Sequence, residues 1–291
     1  MNITGNKKTI KLLDRIAASG KIASAYLFLG PENVGKFMLA KEFAEKLTGN
    51  DEKINSNLIV IEPEIEVVKN VTKKLDIKVE AIRELQHKLS LTAHGSGYKA
   101  VIINDAERLN KTAQNALLKT LEEPNAKVVL ILVSKDEKKL LPTILSRCQK
   151  IRFGLVSPQE MQMLVAGNAQ QERIIFWSAG RPGIAKKILD DPSELEYREK
   201  AAHELAALFS KNTSEKFSLA ETWSKDESEI QKKLELWSVV LREPVLGRSC
   251  GISISPDKAL RLMEEISESM QILKDTNTNT KLVLENLFLK L

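Results

Sequence analysis

Gly30-Pro31-Glu32-Asn33-Val34-Gly35-Lys36-Phe37 is the most informative segment of the chain. It matches the P-loop pattern G-x-x-x-x-G-K-[ST] at every position except the last, where Phe37 replaces a hydroxyl residue. In this pattern backbone N–H groups surround the phosphates, the lysine reaches the outer phosphates, and the hydroxyl binds Mg²⁺. Phenylalanine cannot bind a metal ion, so the segment predicts a vestigial nucleotide site with impaired hydrolysis.

The residues on either side of the P-loop predict a strand before it and a helix after it. Ala25 to Leu29 is a short apolar run that is typical of a buried strand. Gly49 stands where the C-terminal glycine of a helix is expected. The helix between them is indicated by apolar residues at helical spacing: Ala40, Phe43, Ala44 and Leu47. A chance glycine turn is therefore the weaker interpretation.

Short apolar runs alternate with helical patterns up to Phe153, which implies a parallel sheet covered on both faces. One helix is indicated from Ile82 to Leu89, and another from Ala113 to Leu121 ends before Pro124. We therefore predict a three-layer α/β domain over residues 1–154. Its expected strands are Ala25 to Leu29, Leu58 to Ile61, Ala100 to Ile103, Val128 to Val133 and Lys150 to Phe153.

The chain after Phe153 predicts helices only. Ser157-Pro158-Gln159-Glu160 is typical of a helix start, and we expect a small lid of three helices over residues 155–191. Residues 192–291 predict a helical bundle. Its apolar stripes are expected to form the core: Ile230, Leu234, Trp237 and Leu241; Met263, Ile266, Met270 and Leu273; and Leu284, Leu287, Phe288 and Leu291.

The composition favours a soluble protein, with 43% hydrophobic and 29% charged residues among 291. No apolar stretch approaches the about 20 residues that span a bilayer. The first residues indicate neither a signal peptide nor a lipidation site, so we expect a cytoplasmic protein with no membrane partner. A net charge of +5 permits contact with nucleic acid without establishing it.

The cysteines and histidines predict neither a metal site nor a disulfide. Cys148 and Cys250 lack a C-x-x-C partner, and His87, His94 and His203 show no ligand spacing. We expect both thiols to be reduced and buried, and the histidines to lie on helix surfaces or in loops.

A Walker B element is expected after the strand Val101-Ile102-Ile103, at Asn104-Asp105-Ala106-Glu107. An ATPase needs an aspartate here for Mg²⁺ and usually a neighbouring glutamate that orients the attacking water. In one alignment Asn104 replaces the aspartate and Asp105 replaces the glutamate. In the other, Asp105 serves the metal but Ala106 takes the glutamate position. Either alignment leaves one role unfilled.

Two further segments identify a family. Asn115-Ala116-Leu117-Leu118-Lys119-Thr120-Leu121-Glu122-Glu123-Pro124 and Leu141-Pro142-Thr143-Ile144-Leu145-Ser146-Arg147-Cys148-Gln149 resemble bacterial DNA polymerase III clamp loader subunits of the AAA+ class. The resemblance runs from Ala25 to about Leu189, with a weaker match from Asn277 to Leu291. It implies an AAA+ domain, a lid and a C-terminal collar that contributes to oligomerisation.

The resemblance also favours one type of subunit. The family's motor subunits, gamma and tau, carry a working P-loop, whereas its stator subunit typically carries a defective one. The resemblance places Gly183 where motors have the sensor 2 arginine, and it places Ser134 in the sensor 1 region. Because Phe37, Asn104 and Gly183 depart from the motor pattern together, we expect a stator that does not hydrolyse ATP.

Arg147 is the catalytic candidate that the resemblance implies. In this family the arginine of Ser-Arg-Cys acts in trans, as an arginine finger on ATP bound by a neighbouring subunit. A structural salt bridge is the alternative, and the flanking Ser146 and Cys148 favour the finger. The implied partners are the gamma or tau and delta subunits, the sliding clamp and primer–template DNA. Lys111 and Lys119 are candidates for DNA contact.

No cofactor is expected to be required. Asn50 to Asn57 stands where many relatives carry a four-cysteine zinc module, so we expect no zinc. Gly30, Gly35 and Lys36 preserve the backbone loop, which leaves weak binding of ATP or ADP open. Two alternatives to the stator remain: a gamma/tau-like motor that hydrolyses ATP despite Phe37, and a solitary AAA+ protein that binds DNA directly.

Overall fold

A computed structural model of the chain describes residues 4–49, 57–68, 71–90, 98–124, 127–249, 251–275 and 278–291. The chain divides into two compact units, Met1–Ala185 and Lys186–Leu291. The finer division into domains over residues 1–154, 155–191 and 192–291 stays a prediction. Cys250, His94 and nearly all of the segment expected to replace the zinc module lie outside the described residues.

The first unit contains a parallel sheet and a separate hairpin. The strands are β1 (Ala25–Leu29), β2 (Leu58–Ile61), β3 (Ile65–Val68), β4 (Val71–Lys74), β5 (Lys99–Ile103), β6 (Val128–Ser134) and β7 (Gln149–Arg152). Five of them form the parallel sheet in the order β2-β5-β6-β1-β7, while β3 and β4 form an antiparallel pair. All five predicted sheet strands are confirmed. β1, β5 and β6 are buried along their whole length, as their nearly continuous apolar sequences require.

Helices cover both faces of this sheet. The first unit contains α1 (Lys7–Ser19), α2 (Lys36–Thr48), α3 (Val79–Ser90), α4 (Lys111–Glu122), α5 (Pro142–Arg147), α6 (Pro158–Leu164) and α7 (Gln171–Ser178). Because strand residues alternate between the two faces, one core packs α1 and α2 against Tyr26 and Phe28. The other core packs α3, α4 and α5 against Leu27 and Leu29. The predicted three-layer α/β architecture is confirmed.

The helix ends follow from local capping. Ser157 accepts a hydrogen bond from the Glu160 N–H at 3.3 Å, and Pro158 occupies the first turn of α6. Gly49 caps α2 with a φ of 83°. α4 ends at Glu122, before Pro124. All three predicted boundaries are confirmed.

The second unit is helical throughout its described part. α8 (Pro182–Asp190) enters it from the first unit, and it continues with α9 (Ser193–Leu208), α10 (Thr213–Trp223), α11 (Glu227–Val245), α12 (Pro256–Asp275) and α13 (Thr280–Lys290). The predicted core stripes on α11 and α13 are confirmed. The Trp237 Nε1–H donates to the Ala201 carbonyl at 2.8 Å, which satisfies this buried indole. In the ranges described above, no helix combines the length and apolarity needed to cross a membrane.

The predicted stripe on α12 is wrong in part. Ile266 and Leu273 are buried, but Met263 and Met270 are only half-buried. The buried stripe therefore turns slightly around the helix and is completed by Ala259, Leu262 and Ser269. Ala259 is small and Ser269 is polar, so apolar spacing alone does not reveal these two.

The described thiol and imidazoles lie where they were predicted. Cys148 is free and buried, and burial raises the pKa of its thiol to about 12. His87 and His203 are exposed on α3 and α9.

Candidate functional site

The P-loop joins β1 to α2 at the carboxyl edge of the sheet. Gly35 is the N-cap of α2, with a left-handed φ of 92°. Gly30 is required for close packing, because a Cβ there would lie 2.3 Å from the Phe153 carbonyl oxygen. Asn33 adopts a left-handed φ of 62° between them, and Val34 anchors the loop in the core. The segment therefore forms a loop at the predicted place.

Lys36 points back into its own loop. Its Nζ donates hydrogen bonds to the carbonyl oxygens of Gly30 at 2.7 Å and Pro31 at 2.6 Å. The residue is only 7% exposed. Burial lowers the pKa of Lys36, while the nearby carboxylates, of which Glu107 has the largest effect, oppose this shift. The ammonium that serves phosphates in a working P-loop is thus held by backbone carbonyls.

The start of α8 packs directly on the P-loop. The Gly183 N–H donates to the Asn33 carbonyl at 2.8 Å. A Cβ at Gly183 would lie 3.1 Å from both the Cβ and the carbonyl oxygen of Asn33, closer than most such contacts. The lack of a side chain at the position that resembles sensor 2 therefore allows a backbone contact between lid and loop.

Neither Walker B candidate is arranged as a metal ligand. Asn104 extends the β5 ladder by donating its N–H to Ile61, and its Nδ2 donates to Glu62 Oε1 at 2.9 Å. Asp105 has a left-handed φ of 50° and forms an ion pair with Lys74. With Phe37 at the hydroxyl position, these motif residues do not fit Mg²⁺.

Charged side chains close to the loop are paired within the chain. Glu32 Oε1 lies 2.5 Å from Lys135 Nζ. Together with the Lys74 pair to Asp105, this contact neutralises cations beside the loop. An anionic phosphate would therefore compete with the protein's own carboxylates for these ammonium groups.

Two further buried polar residues lie near the loop. Ser134, the sensor 1 candidate, is buried at the end of β6, where its Oγ accepts from the Asp136 N–H at 3.2 Å. Glu107 is 8% exposed; its Oε2 accepts from the Lys135 N–H at 3.3 Å, and its Oε1 is buried without a hydrogen-bond partner. No role was predicted for Glu107, although a carboxylate so soon after a buried strand is a usable signal of a functional residue.

Arg147 lies at the opposite edge of the sheet. It ends α5, and Gln149 of β7 then pairs in parallel with Tyr26, near the start of β1. The P-loop begins only at Gly30, about 13 Å further along at about 3.3 Å per residue. The structure therefore does not bring Arg147 together with the P-loop of its own chain.

The guanidinium of Arg147 has two contacts at this edge. Its Nη2 lies 2.8 Å from Glu122 Oε1, and its Nη1 donates to the Thr143 carbonyl at 3.0 Å. The side chain stays 35% exposed. The salt bridge that was the alternative to a finger role is thus present, and it leaves part of the guanidinium accessible.

A parallel sheet with a phosphate loop at its carboxyl edge, followed by small helices of which one packs on that loop, defines an α/β protein of the P-loop class. The family model described as DNA polymerase III, delta subunit, matches residues 5–157. The chain belongs to this family of clamp loader subunits.

Similar proteins with known names agree with this family. The DNA polymerase III subunit delta' of Pseudomonas aeruginosa is 34% identical over 47% of this chain and 45% of its own length. The delta' subunit of Bacillus subtilis is 34% identical over 53% of this chain and 49% of its own length. The tau subunit of Bacillus subtilis is 32% identical over 54% of this chain and 29% of its own length. This chain thus spans about half the length, or less, of these relatives.

One solved structure shows the same fold over nearly the whole chain. It is the crystal structure of a DNA polymerase III gamma subunit-related protein from Thermotoga maritima, with a TM-score of 0.52 and 20% identity. The similarity covers 95% of this chain and 97% of that one.

Proposed function

We propose that this chain is the delta prime stator of a bacterial DNA polymerase III clamp loader, a cytoplasmic subunit that does not hydrolyse ATP itself. It supplies Arg147 to ATP bound by a neighbouring gamma or tau subunit and helps to load the sliding clamp onto primed DNA. The observation that carries this proposal is Phe37, which leaves the loop without a metal-binding hydroxyl, together with Gly183, whose N–H donates to the Asn33 carbonyl of the same loop.

The absence of intrinsic hydrolysis is supported by several positions at once. A working site needs a lysine on the outer phosphates, a hydroxyl and an aspartate for Mg²⁺, and a residue that orients water. Here Lys36 is turned inward, Phe37 offers no ligand, Asn104 pairs with Glu62, and Asp105 pairs with Lys74. No single substitution restores all of these functions.

A role in trans is supported by the position of Arg147. The opposite edge of the sheet keeps it from its own P-loop, yet a third of its side chain remains exposed for a partner. In ATP hydrolysis the water oxygen bonds to the γ-phosphorus as the bond to the β–γ bridging oxygen breaks, which yields ADP, phosphate and a proton. An arginine beside the γ-phosphoryl group stabilises the charge in that transition state, a contribution of about 10³- to 10⁵-fold in rate.

The remaining expectations belong to the same proposal. The partners are the gamma or tau and delta subunits, with the sliding clamp and primer–template DNA in the assembled complex; Lys111 and Lys119 are candidates for DNA contact. The proposal requires neither zinc nor another cofactor, and it leaves weak binding of ATP or ADP to the preserved backbone loop open.

The test is an ATPase assay on the assembled clamp loader containing Arg147→Ala. We expect the complex to assemble as the wild type does, because the side chain contributes only an exposed ion pair and a hydrogen bond to a carbonyl of its own helix. Turnover at the neighbouring site should fall by about 10³-fold. Assembly is checked by gel filtration, and unchanged turnover in an intact complex would remove Arg147 from the proposed role.

A gamma/tau-like motor is the second candidate function. It is favoured by the 32% identity to the Bacillus subtilis tau subunit, close to the values for the delta' subunits. A Mg²⁺-dependent ATPase assay on the isolated chain separates the two, since the stator shows no turnover and the motor does.

A further inference from the structure

We infer that Glu122 is a positioning residue, which holds Arg147 in the orientation that it needs to act on ATP of a neighbouring subunit. This inference rests on the proposed function, because it concerns the same arginine. It assigns a role to a carboxylate in a segment, Leu121-Glu122-Glu123-Pro124, whose residues the proposed function leaves without a task.

The core fixes both members of the pair. Glu122 ends α4 directly after Leu121, which is buried. Arg147 ends α5 directly before Cys148, which is also buried. Leu121, Cys148 and Ile144 of α5 belong to the same hydrophobic cluster. The packing of these helix ends therefore sets the distance between carboxylate and guanidinium.

The contacts orient the guanidinium and leave donors available. Thr143 accepts from Nη1 within the same helix, and Glu122 accepts from Nη2 from the neighbouring helix. Two contacts from different elements fix the plane of the group as well as its position. Within the described part of the chain these contacts use only part of the guanidinium's fork of N–H donors, so the rest stays available to phosphate oxygens.

The pair is poorly explained by fold stability. The Glu122 side chain is 50% exposed and that of Arg147 is 35% exposed, and ion pairs this accessible to water contribute little to folding. An unrestrained arginine has many rotamers, and fixing one of them at the transition state costs entropy. Restraint by Glu122 before the partner's ATP arrives removes part of that cost, which affects rate and not stability.

The experiment compares Glu122→Gln with Glu123→Gln in the assembled clamp loader. The neighbouring Glu123 is also an exposed glutamate, but among the described residues the ion pair of Arg147 is with Glu122, which makes Glu123 a matched control. ATP is the probe, and kcat and KM are measured with the sliding clamp and primed DNA present. We expect Glu122→Gln to lower kcat by about threefold to tenfold with KM unchanged, and Glu123→Gln to leave both unchanged.

A double variant separates positioning from a structural role. If Glu122 acts through Arg147, Glu122→Gln has no further effect on turnover in an Arg147→Ala background. The thermal midpoint of each variant chain checks that the fold is intact. Full or increased turnover in Glu122→Gln, or an added loss in the double variant, would overturn the inference. Unchanged turnover in Arg147→Ala would instead reject the proposed function, and the inference with it.

Discussion

The cationic side chains at the two edges of the central sheet differ in their exposure and in their hydrogen-bond partners. At the carboxyl edge, Lys36 is 7% exposed and bonded to backbone carbonyls. At the amino edge, the Arg147 side chain is 35% exposed and keeps part of its donor fork accessible. Lys36 is therefore bonded to groups of its own chain at one edge, whereas Arg147 at the other edge keeps the exposure that the proposed role in trans requires.

The comparison shows that a sequence match to the P-loop motif does not by itself establish a nucleotide-binding site. Three positions of the P-loop serve the packing of the fold: Gly30 allows the close approach of Phe153, Gly35 caps α2, and Val34 lies in the core. These packing requirements are independent of whether the loop binds a nucleotide. In contrast, nothing in the core requires an arginine at position 147, whose contacts are with an exposed glutamate and a helix carbonyl.

At the carboxyl edge of the sheet, the largest effect on the free energy of unfolding is expected from Gly183→Ala. The added Cβ meets the Asn33 backbone and costs about 1 to 3 kcal/mol. This exceeds the about 0.5 to 1 kcal/mol that alanine gains over glycine inside a helix. We therefore expect a net loss of about 1 kcal/mol in the free energy of unfolding, measured by urea denaturation.

Gly154→Ala is the control for this substitution, since a Cβ there meets nothing within 4 Å. It should change the free energy of unfolding by less than about 0.5 kcal/mol. If both substitutions changed the free energy of unfolding equally, the contact between Gly183 and Asn33 would not be tightly packed.

A smaller effect on the same edge is expected in the alkaline range. Burial lowers the pKa of Lys36, so the unfolded chain holds that proton more tightly than the folded chain does. The free energy of unfolding should therefore gain a rising contribution as pH increases from the lowered pKa to the ordinary lysine value of 10.5. Lys36→Met removes this contribution. In urea denaturation at a series of pH values, the free energy of unfolding of this variant should therefore rise less steeply with pH than that of the wild type.

The exposed Lys8 on α1 supplies the matched control. Lys8→Met leaves Lys36 intact and should keep the alkaline rise of the wild type. If the wild type and Lys36→Met have the same pH dependence, the ammonium of Lys36 is not held in a buried environment.

Much of the fold was predictable because the three central strands of the sheet are buried on both faces. Such strands have nearly continuous apolar sequences, as in β1, β5 and β6. The β3–β4 hairpin was missed because Ile65 and Val67 are 64% and 66% exposed, so the burial pattern that identifies a strand is absent. α1 was missed since Leu13 is its one buried residue and Asn6 provides no side-chain cap.

The site was predictable in its residues but not in its contacts. Motif spacing located the P-loop, Asn104 and Asp105, and the family resemblance singled out Arg147. The orientation of the Lys36 side chain depends on carbonyls and carboxylates that the tertiary structure brings together. The spacing of residues in the sequence does not predict these contacts. The pair of Glu122 and Arg147 likewise depends on how two helices end against a common core.

The claim that ATP turnover depends on Arg147 and not on the chain's own P-loop is tested most directly by comparing Lys36→Met with Arg147→Ala in the assembled clamp loader. Each variant removes the cation from one edge of the sheet, and steady-state ATP turnover is measured with the sliding clamp and primed DNA. We expect Lys36→Met to keep wild-type turnover, whereas Arg147→Ala should lose turnover at the neighbouring site. Loss of turnover in Lys36→Met, with Arg147→Ala unaffected, would contradict this claim.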